Sequence, residues 1–329
     1  MPAVTTTVSP GHGLILAAGL GTRLLPLTRG RAKPAVPVAG RSLIDRIAGW
    51  LARHGVTELL VNLHYRAETI TAEVGDGRRL GVRVRYSWEH PVLGSGGGPR
   101  RAFALTPYDR LWLINGDTLT DVDLQALWAE HQRSGALVTM AVVPNPDPLR
   151  YGGVLVEEDG SVTGFTRRGM TQPSWHFVGV QVAERSAYAS LQDGIPAESI
   201  GALYPRLMRE LPGSVRAFRS EAPFHDIGTP DDYLMTCLAL APGPEALRSS
   251  RARVSGGAAV IESVLWDDVT VGERARLYRC VVADGVRVPA ALAVAHAVIT
   301  PDGPEPLLPG ECRQDGIRIL PGLRGAPSA

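Results

Sequence analysis

The last quarter of the chain repeats itself every 17 residues, and this repeat restricts the possible fold more than any other feature. Apolar residues keep the spacing at three registers: Val254, Val271 and Val288; Val260, Leu277 and Val294; Val264, Val281 and Val298. Aliphatic residues at steps of about six, with small residues between them, are typical of a left-handed parallel β-helix. The repeat therefore predicts about three coils, each made of three short strands stacked on the coil before it.

The chain ahead of the repeat alternates between strand-like runs and helical patterns. Runs rich in Val, Leu and Ile lie at 14–17, 58–63, 82–86, 111–114 and 137–143. This alternation predicts an α/β fold with a Rossmann-like, mostly parallel sheet covered on both faces. After Pro144 the pattern changes and predicts a small antiparallel insertion, with a hairpin turn at Asp159–Gly160 and a strand at 175–182.

A proline- and glycine-rich break, Ala241-Pro-Gly-Pro-Glu245, separates the two patterns. We therefore expect an α/β domain at 13–240, a linker at 241–253, the β-helix at 254–302 and a tail or cap at 303–329. The α/β domain should close with a helix that has Thr229 as its N-cap and Pro230 at its first position.

The first strand-like run leads into a glycine turn that suits an anion. The sequence is Leu16-Ala-Ala-Gly-Leu-Gly-Thr-Arg23, with Lys33-Pro34 shortly after it. Small residues let backbone N–H groups approach a phosphate, and Arg23 and Lys33 can neutralise its charge. The missing third glycine disfavours a Rossmann dehydrogenase, and the missing Gly-Lys-Ser/Thr disfavours a P-loop NTPase. We expect catalytic roles for Arg23 and Lys33, and nucleotide contacts from Leu16, Ala17, Ala18, Gly19, Gly21 and Thr22.

Two acidic residues stand in contexts that favour a metal ion. Asp117 follows an apolar strand in Leu113-Ile-Asn-Gly-Asp-Thr118, and Asp226 precedes the helix expected after Thr229. Two carboxylates are sufficient for Mg²⁺, which takes its remaining oxygens from water and substrate phosphates.

A second glycine-rich stretch, Gly94-Ser-Gly-Gly-Gly-Pro99, follows the strand expected at 82–86. We expect a turn whose backbone approaches a flat ring or a ribose through Gly96 and Gly97. Glu89 lies just upstream, and its carboxylate can accept hydrogen bonds from the amino and imino edge of guanine. Uracil and thymine offer one imino donor beside carbonyls, so Glu89 favours guanine as the base.

In this order, the motifs at 16–23, 33–34, 93–98, 115–117 and 226–230 resemble those of the sugar-1-phosphate nucleotidyltransferase family over about residues 13–240. Within the family the chain is most similar to mannose-1-phosphate guanylyltransferases, which often carry a C-terminal left-handed β-helix. The resemblance implies that the Gly19 loop and Arg23 hold the triphosphate and that Lys33 contacts the reacting phosphate. It also implies roles for further residues: Glu89, Gly96 and Asn115 at the nucleotide, and Asp117 and Asp226 at Mg²⁺.

Two segments depart from the usual pattern of that family. Thr166-Arg-Arg-Gly169 stands where the family usually has Glu-Lys-Pro against the sugar phosphate, and Phe177-Val-Gly179 stands in place of Asn-Ala-Gly. With these departures, we expect Gly153, Arg167 and His176 to contact the sugar.

The resemblance implies that a sugar 1-phosphate and a nucleoside triphosphate form an NDP-sugar and pyrophosphate, with GTP and mannose 1-phosphate as leading substrates. A uridylyl- or thymidylyltransferase acting on N-acetylmuramate 1-phosphate, glucose 1-phosphate or a related sugar is an alternative, as is a non-catalytic nucleotide-sugar-binding regulator. An acyltransferase active in the β-helix is disfavoured, because His296 is the one histidine within the repeat.

Composition limits the partners and the compartment. A formal net charge of +1 gives no reason to expect nucleic acid or a membrane surface as partner. Three widely spaced cysteines indicate neither a disulfide framework nor a zinc site, which favours a reducing cytoplasm. Residues 1–10 lack the features of a signal peptide, and no run of about 18 apolar residues occurs. The exposed ends of a short β-helix favour a homo-oligomer.

Overall fold

The computed structural model of the chain describes residues 10–324, which form two compact units. The first unit contains the chain up to Leu20 together with Ile44–Phe224, and the second contains Gly21–Leu43 together with the chain from His225 onward. The expectation of no signal peptide concerns residues that, apart from Pro10, lie outside the described range. The four regions expected from the sequence stay a prediction.

In the described part of the chain the α-helices are α1 (Leu43–Arg53), α2 (Ala67–Val74), α3 (Gly94–Leu105), α4 (Leu124–Ser134), α5 (Tyr204–Glu210) and α6 (Pro230–Leu240). The strands are β1 (His12–Leu16), β2 (Pro37–Val38), β3 (Arg41–Ser42), β4 (Glu58–Leu63), β5 (Arg83–Trp88), β6 (Arg110–Asn115), β7 (Thr118–Thr120), β8 (Val138–Pro144), β9 (Gly153–Val156), β10 (Val162–Thr166), β11 (Trp175–Glu184), β12 (Val215–Arg219), β13 (Phe224–Asp226), β14 (Arg253–Val254), β15 (Ala259–Ile261), β16 (Val264–Leu265), β17 (Thr270–Val271), β18 (Arg276–Tyr278), β19 (Val281–Val282), β20 (Arg287–Val288), β21 (Ala293–Ala295), β22 (Ala297–Pro301), β23 (Cys312–Gln314) and β24 (Ile317–Pro321). Short 3₁₀ turns lie at Thr22–Leu24, Leu27–Arg29, Lys33–Ala35, Arg78–Leu80, Arg185–Tyr188 and Pro244–Leu247, and a π-helical turn at Ser199–Leu203 leads into α5.

The first unit is built on a nine-stranded sheet that contains the strand order β10-β9-β11-β6-β1-β4-β5. Strand β1 pairs in parallel with both β4 and β6, so that Leu14 lies opposite Leu60 and Leu113. All three leucines are buried, as expected for parallel strands that are covered on both faces. The predicted α/β fold with a mostly parallel sheet is confirmed.

The antiparallel insertion also forms as predicted. Strands β9 and β10 pair as a hairpin whose turn holds Gly160 at φ 90°. Strand β11 runs antiparallel to β6 and β8, and its register against β8 shifts between Phe177 and Gln181. Such a shift bends a strand and re-aims its side chains, which is common beside functional sites.

The second unit contains the repeat, whose short parallel strands stack coil on coil. Each predicted set pairs in register: Val254 with Val271 and Val271 with Val288; Val260 with Leu277 and Leu277 with Val294; Val264 with Val281 and Val281 with Val298. The aliphatic side chains of the first two sets pack in a common core, whereas at the third set it is the following residues, Leu265, Val282 and Ile299, that belong to this core. The period of 17 residues is therefore the length of one coil, as the sequence predicted.

The chain beyond the repeat turns back on the last coil. Strand β24 pairs antiparallel with both β22 and β23. Arg318 is 1% exposed and donates from Nε to Oδ1 of Asp302 at 2.8 Å. This hydrogen bond, together with one from the backbone N–H of Gly303, lowers the pKa of Asp302 to about 2.

Helix α6 begins with the cap that the sequence predicted. The Asp232 N–H donates to Oγ1 of Thr229 at 3.3 Å, and the Thr229 N–H donates to Oδ2 of Asp232 at 2.9 Å. This reciprocal pair is a capping box, and Pro230 occupies the first helical position. None of the helices between residues 10 and 324 is long and apolar enough to cross a bilayer.

Candidate active site

Two predicted motifs of the first unit meet at the carboxyl ends of neighbouring strands. Leu16 ends β1 opposite Asn115, which ends β6, and the Gly116 N–H donates to the Leu16 carbonyl at 2.9 Å. Gly19 is exposed, and a Cβ added there would meet no atom within 4 Å. The backbone of Leu16–Gly19 thus lies beside Asn115–Asp117 and is open at Gly19, as a phosphate-binding turn requires.

Asn62, which sequence reasoning did not select, connects this edge of the sheet to the next loop. Its Oδ1 accepts the Ala17 N–H at 2.5 Å, and its Nδ2 donates to Oε1 of Glu89 at 2.7 Å. One amide can do both because it carries an acceptor and two donors. The available signal was a polar residue within the apolar run Glu58–Leu63, and Asn62 is indeed only 3% exposed.

Glu89 is 3% exposed, and both of its carboxylate oxygens accept hydrogen bonds. Oε1 accepts from Asn62, and Oε2 accepts the Leu93 N–H at 2.7 Å. A buried carboxylate needs such donors, since burial of an unpaired charge is costly. The side chain therefore holds the 89–93 segment to β4, a role that the sequence did not indicate. Contact between Glu89 and a base stays a prediction.

The glycine-rich stretch is not the turn that we expected, because Gly94–Gly98 form the beginning of α3. The N–H groups of Gly96 and Gly97 donate to the Ala197 carbonyl at 2.8 and 3.3 Å. A Cβ on Gly97 would lie 2.7 Å from the Ile195 carbonyl oxygen. The glycines are thus needed where the helix packs on another stretch of backbone. Nucleotide contacts from Gly96 and Gly97 stay a prediction.

Two residues predicted to contact the sugar lie on neighbouring strands of the antiparallel insertion. Gly153 begins β9, and His176 lies on β11 with its ring 4.4 Å from that of Tyr151 and 5.0 Å from that of Phe224. Among the residues that the structure describes, the buried Nδ1 of His176 has no hydrogen-bond partner. Burial lowers the pKa of His176, so the ring is neutral near pH 7 and can offer one nitrogen as an acceptor.

Arg167, the third predicted sugar contact, is exposed directly after β10. It lines a groove of about 780 Å³ together with Phe165, Met208 and Arg209. Its neighbour Thr166 pairs with Gly153, so Arg167 lies near Gly153 along the hairpin. The groove that Arg167 lines, however, borders α5.

The altered segment Phe177-Val-Gly179 keeps the one residue that its geometry demands. Gly179 has φ 79°, and a Cβ there would lie 2.8 Å from both Cβ and Nδ2 of Asn115. Any larger residue would be strained and would displace Asn115. The first unit therefore fixes Asn115 from two sides, through β1 and through the bend in β11.

In the second unit, Arg23 and Lys33 belong to one compact segment, residues 21–36, called the cation loop below. A Cβ on Gly21, which has φ 65°, would lie 3.1 Å from both Cβ of Lys33 and Cγ2 of Thr28. The Thr28 hydroxyl also donates to the Gly21 carbonyl at 3.0 Å. Arg23 is exposed, whereas Lys33 is only 7% exposed.

Asp226 lies close to Arg23 in the same unit. A Cβ added to Gly228 would lie 3.2 Å from Nη1 of Arg23, 3.2 Å from Oδ2 of Asp226 and 3.1 Å from Oδ2 of Asp232. Gly228 thus occupies the space between a cation and two carboxylates. The sequence predicted site roles for Arg23 and Asp226, and the structure brings these two residues together.

The predicted metal ligands are oxygen donors of the kind that Mg²⁺ prefers. Asp117 follows β6 in the first unit, Asp226 ends β13, and both are half-buried. Within residues 10–324 no group of three or more His, Cys, Asp or Glu side chains is arranged to hold a metal ion. Either carboxylate would leave most of the coordination of such an ion to water and substrate oxygens, and the shared Mg²⁺ site stays a prediction.

Comparison with known families agrees with this geometry. The sequence model described as "Nucleotidyl transferase" matches residues 12–241, and the one described as "GlmU-like, C-terminal hexapeptide" matches residues 244–298. The chain belongs to the nucleotidyl transferase family and carries a C-terminal hexapeptide-repeat region. The family and enzyme class predicted from the sequence motifs are confirmed.

Three curated relatives narrow the class to enzymes that act on sugar 1-phosphates. The chain is 30% identical over 295 residues to mannose-1-phosphate guanylyltransferase of Mycobacterium tuberculosis, covering 85% of this chain and 82% of that protein. It is 32% identical to D-glycero-alpha-D-manno-heptose 1-phosphate guanylyltransferase of Aneurinibacillus thermoaerophilus, over 68% of this chain and 95% of that one. It is 29% identical to UTP–glucose-1-phosphate uridylyltransferase of Synechocystis, over 67% of this chain and 61% of that protein.

A solved structure supports the fold. HddC from Yersinia pseudotuberculosis aligns with a TM-score of 0.61 at 24% identity, covering 69% of this chain and 98% of that chain. At this identity the similarity concerns the fold alone.

Proposed function

We propose that the chain transfers the guanylyl group of GTP to mannose 1-phosphate, giving GDP-mannose and pyrophosphate. The supporting observation is the extent of similarity. The Mycobacterium relative is matched over 85% of this chain, which is long enough to extend into the repeat, whereas the heptose and glucose enzymes are matched over 68% and 67% of this chain. Two of the three relatives are guanylyltransferases, which favours guanine over uracil.

In the proposed reaction an oxygen of the sugar phosphate attacks the α-phosphorus of the triphosphate. The bond between that phosphorus and the oxygen bridging to the β-phosphate breaks, and pyrophosphate leaves. The sugar phosphate is already an anionic nucleophile, so the protein needs only to align two polyanions and to neutralise developing charge.

We assign Arg23 to the departing pyrophosphate, because a guanidinium can grip two phosphate oxygens at once, and Lys33 to the reacting phosphate as a point charge. Asp117 and Asp226 would hold Mg²⁺, which supplies further neutralisation at phosphate oxygens when it is bound. The open backbone at Gly19 is assigned to the triphosphate.

The test is a panel of nucleoside triphosphates crossed with sugar 1-phosphates and scored by pyrophosphate release. A carboxylate or equivalent acceptor at the guanine edge is worth about 2–3 kcal/mol in a dry site, so we expect GTP to exceed UTP by roughly 30- to 100-fold in kcat/KM. A higher kcat/KM for UTP or dTTP would move the chain to the uridylyl- or thymidylyltransferase alternative. Nucleotide-sugar binding without turnover of any pair would favour the regulator.

Glu89→Gln separates two roles for this carboxylate. If Glu89 reads guanine directly, the ratio of GTP to UTP turnover falls. If it acts by holding Leu93, both rates fall together and the ratio is kept. Glu68→Gln, an exposed change on α2, is the matched control and should alter neither rate.

We further propose that the β-helix joins copies of the chain into a homo-oligomer. Ile261 and Tyr278 pair in consecutive coils and are 54% and 41% exposed, so they form an apolar surface that another copy can cover. Ile261→Asn with Tyr278→Asn should lower the mass measured by light scattering, whereas Glu273→Gln should not. An unchanged mass in the double variant would contradict the proposal.

A further inference from the structure

Arg31 lies two residues before Lys33, and two aspartates of the β-helix bind its guanidinium. Nε donates to Oδ2 of Asp284 at 2.6 Å and Nη2 donates to Oδ1 of Asp284 at 2.9 Å, while Nη2 also contacts Asp267. The guanidinium lies over the Trp266 ring, 5.6 Å from its centre. Asp267 and Asp284 are one period of 17 residues apart and therefore occupy equivalent positions in consecutive coils.

The two aspartates are themselves held in place. Oδ1 of Asp267 accepts the Ser249 hydroxyl at 2.5 Å, and Oδ1 of Asp284 accepts the Asp267 N–H at 3.0 Å. Burial opposes the charge on Arg31, but hydrogen bonds and charges from Asp284 and Asp267 outweigh it and raise the pKa of Arg31.

A second contact anchors the cation loop ahead of Arg31. Arg29 binds Glu311 through two parallel hydrogen bonds, Nη1 to Oε1 at 2.6 Å and Nη2 to Oε2 at 2.8 Å. The Glu311 side chain is completely buried and the Arg29 side chain is 14% exposed. Bidentate pairs of this kind fix orientation as well as distance.

A third contact lies just after the cation loop. Tyr233 donates its hydroxyl hydrogen to the Pro37 carbonyl, and the same hydroxyl accepts Nε1–H of Trp266 at 2.7 Å. The segment from Arg29 to Pro37 is thus held at three points: Arg29 binds the chain beyond the repeat, Arg31 binds the β-helix, and Pro37 accepts a hydrogen bond from α6.

The Arg31 contact reaches the turn that contains Lys33. Nη1 of Arg31 donates to the Ala35 carbonyl at 3.4 Å. Within that turn the Val36 N–H donates to the Lys33 carbonyl at 3.2 Å, and the Ala35 N–H donates to the Ala32 carbonyl at 2.9 Å. A shift of the guanidinium therefore moves the backbone on which Lys33 is carried.

We infer that Arg31, held by Asp267 and Asp284, is a positioning residue that fixes Lys33 for the reaction. The β-helix is then part of the catalytic scaffold in addition to any role in assembly. The inference rests on the proposed function, in which Lys33 contacts the reacting phosphate.

The test is Asp284→Asn in the full chain, with Asp268→Asn as the matched control. Asp268 stands beside Asp267, is exposed and pairs with Arg251, so its variant removes the same charge without touching Arg31. A displacement of about 1 Å costs about 100-fold in rate, so a smaller shift of Lys33 should lower kcat by about 10-fold. We expect KM for the sugar phosphate to change less than kcat in Asp284→Asn, and both to be unchanged in Asp268→Asn.

Arg31→Lys provides a second variant, because it keeps the charge and loses the bidentate geometry. Arg31→Lys should lower kcat as Asp284→Asn does. Because both changes remove the same contact, kcat of the variant that carries both should be no lower than that of the slower single variant. Wild-type kcat in Arg31→Lys or in Asp284→Asn would overturn the inference, as would an equal loss in Asp268→Asn.

Amide hydrogen exchange gives a readout that does not depend on activity. The Ala35 and Val36 N–H groups should exchange faster in Asp284→Asn than in the wild type or in Asp268→Asn. If the wild type turns over no substrate pair, the proposed function fails, while amide exchange still reports whether Arg31 and Asp284 hold the turn at Lys33. If the wild type is active and the variants match it in rate and exchange, the positioning role fails alone.

Discussion

Gly228→Ala tests whether Arg23 and Asp226 act from the positions that the structure gives them. The added Cβ would lie 3.1–3.2 Å from Nη1 of Arg23, Oδ2 of Asp226 and Oδ2 of Asp232, so each must give way by a few tenths of an ångström. The φ of Gly228 is not in the left-handed region, and the backbone itself accepts alanine. The change therefore moves site groups without straining the chain.

The magnitude follows from these distances. Alanine at a compatible backbone position gains about 0.4–1 kcal/mol from the unfolded state, while overpacking costs about 1–3 kcal/mol. The net destabilisation should be about 1–2 kcal/mol, which lowers Tm by about 2–6 °C. Movement of Arg23 and Asp226 by a fraction of an ångström should lower kcat by about tenfold, or about 1.4 kcal/mol in the barrier.

The assay is steady-state pyrophosphate release beside thermal unfolding. Gly256→Ala is the matched control in the same unit, because a Cβ there meets nothing within 4 Å, and it should keep wild-type kcat. Gly228→Ala with unchanged kcat and a lower Tm would refute the reasoning, since the displaced groups would then have no part in the chemistry.

Three further predictions concern the metal, the leaving group and pH. Asp117→Asn and Asp226→Asn should each lower kcat by about 100-fold or more in steady-state assays, because each removes a charged ligand used in the transition state. The far-UV circular dichroism spectrum should be unchanged. Near-normal turnover in both variants would exclude this metal site. Arg23→Ala should lower kcat more than it raises KM for the sugar phosphate, because Arg23 acts on charge that develops at pyrophosphate, and a change confined to that KM would contradict the role. The pKa of Asp302 is lowered to about 2 by Arg318, so its contribution to the free energy of unfolding is present above about pH 4 and is lost as the pH falls from 4 to 2. In urea unfolding, the free energies of the wild type and of Asp302→Asn should therefore converge over that interval. A constant difference between them would contradict the prediction.

Sequence reasoning could select candidate site residues where the pattern that marks them lies within a few residues of the chain. The glycine turn at Leu16–Gly19 follows one strand and Asp117 follows another, and parallel strands bring their carboxyl ends to one edge of the sheet. Sequence reasoning missed Asn62, whose two hydrogen bonds reach Ala17 and Glu89. Those partners lie 45 and 27 residues away in the chain, and no local pattern encodes such a contact.

The sequence by itself determined the features that depend on periodicity and on near neighbours. The 17-residue repeat predicted which residues would pair between coils, and Thr229 predicted the start of α6, because stacking period and helix capping are set within a few residues. Only the tertiary structure decided that Gly94–Gly98 begin a helix against Ala197, and that Arg31 of the cation loop is bound by Asp267 and Asp284. In both cases the deciding partner is about 100 or more residues away, and contacts at that separation arise only when the folded chain brings the two segments together.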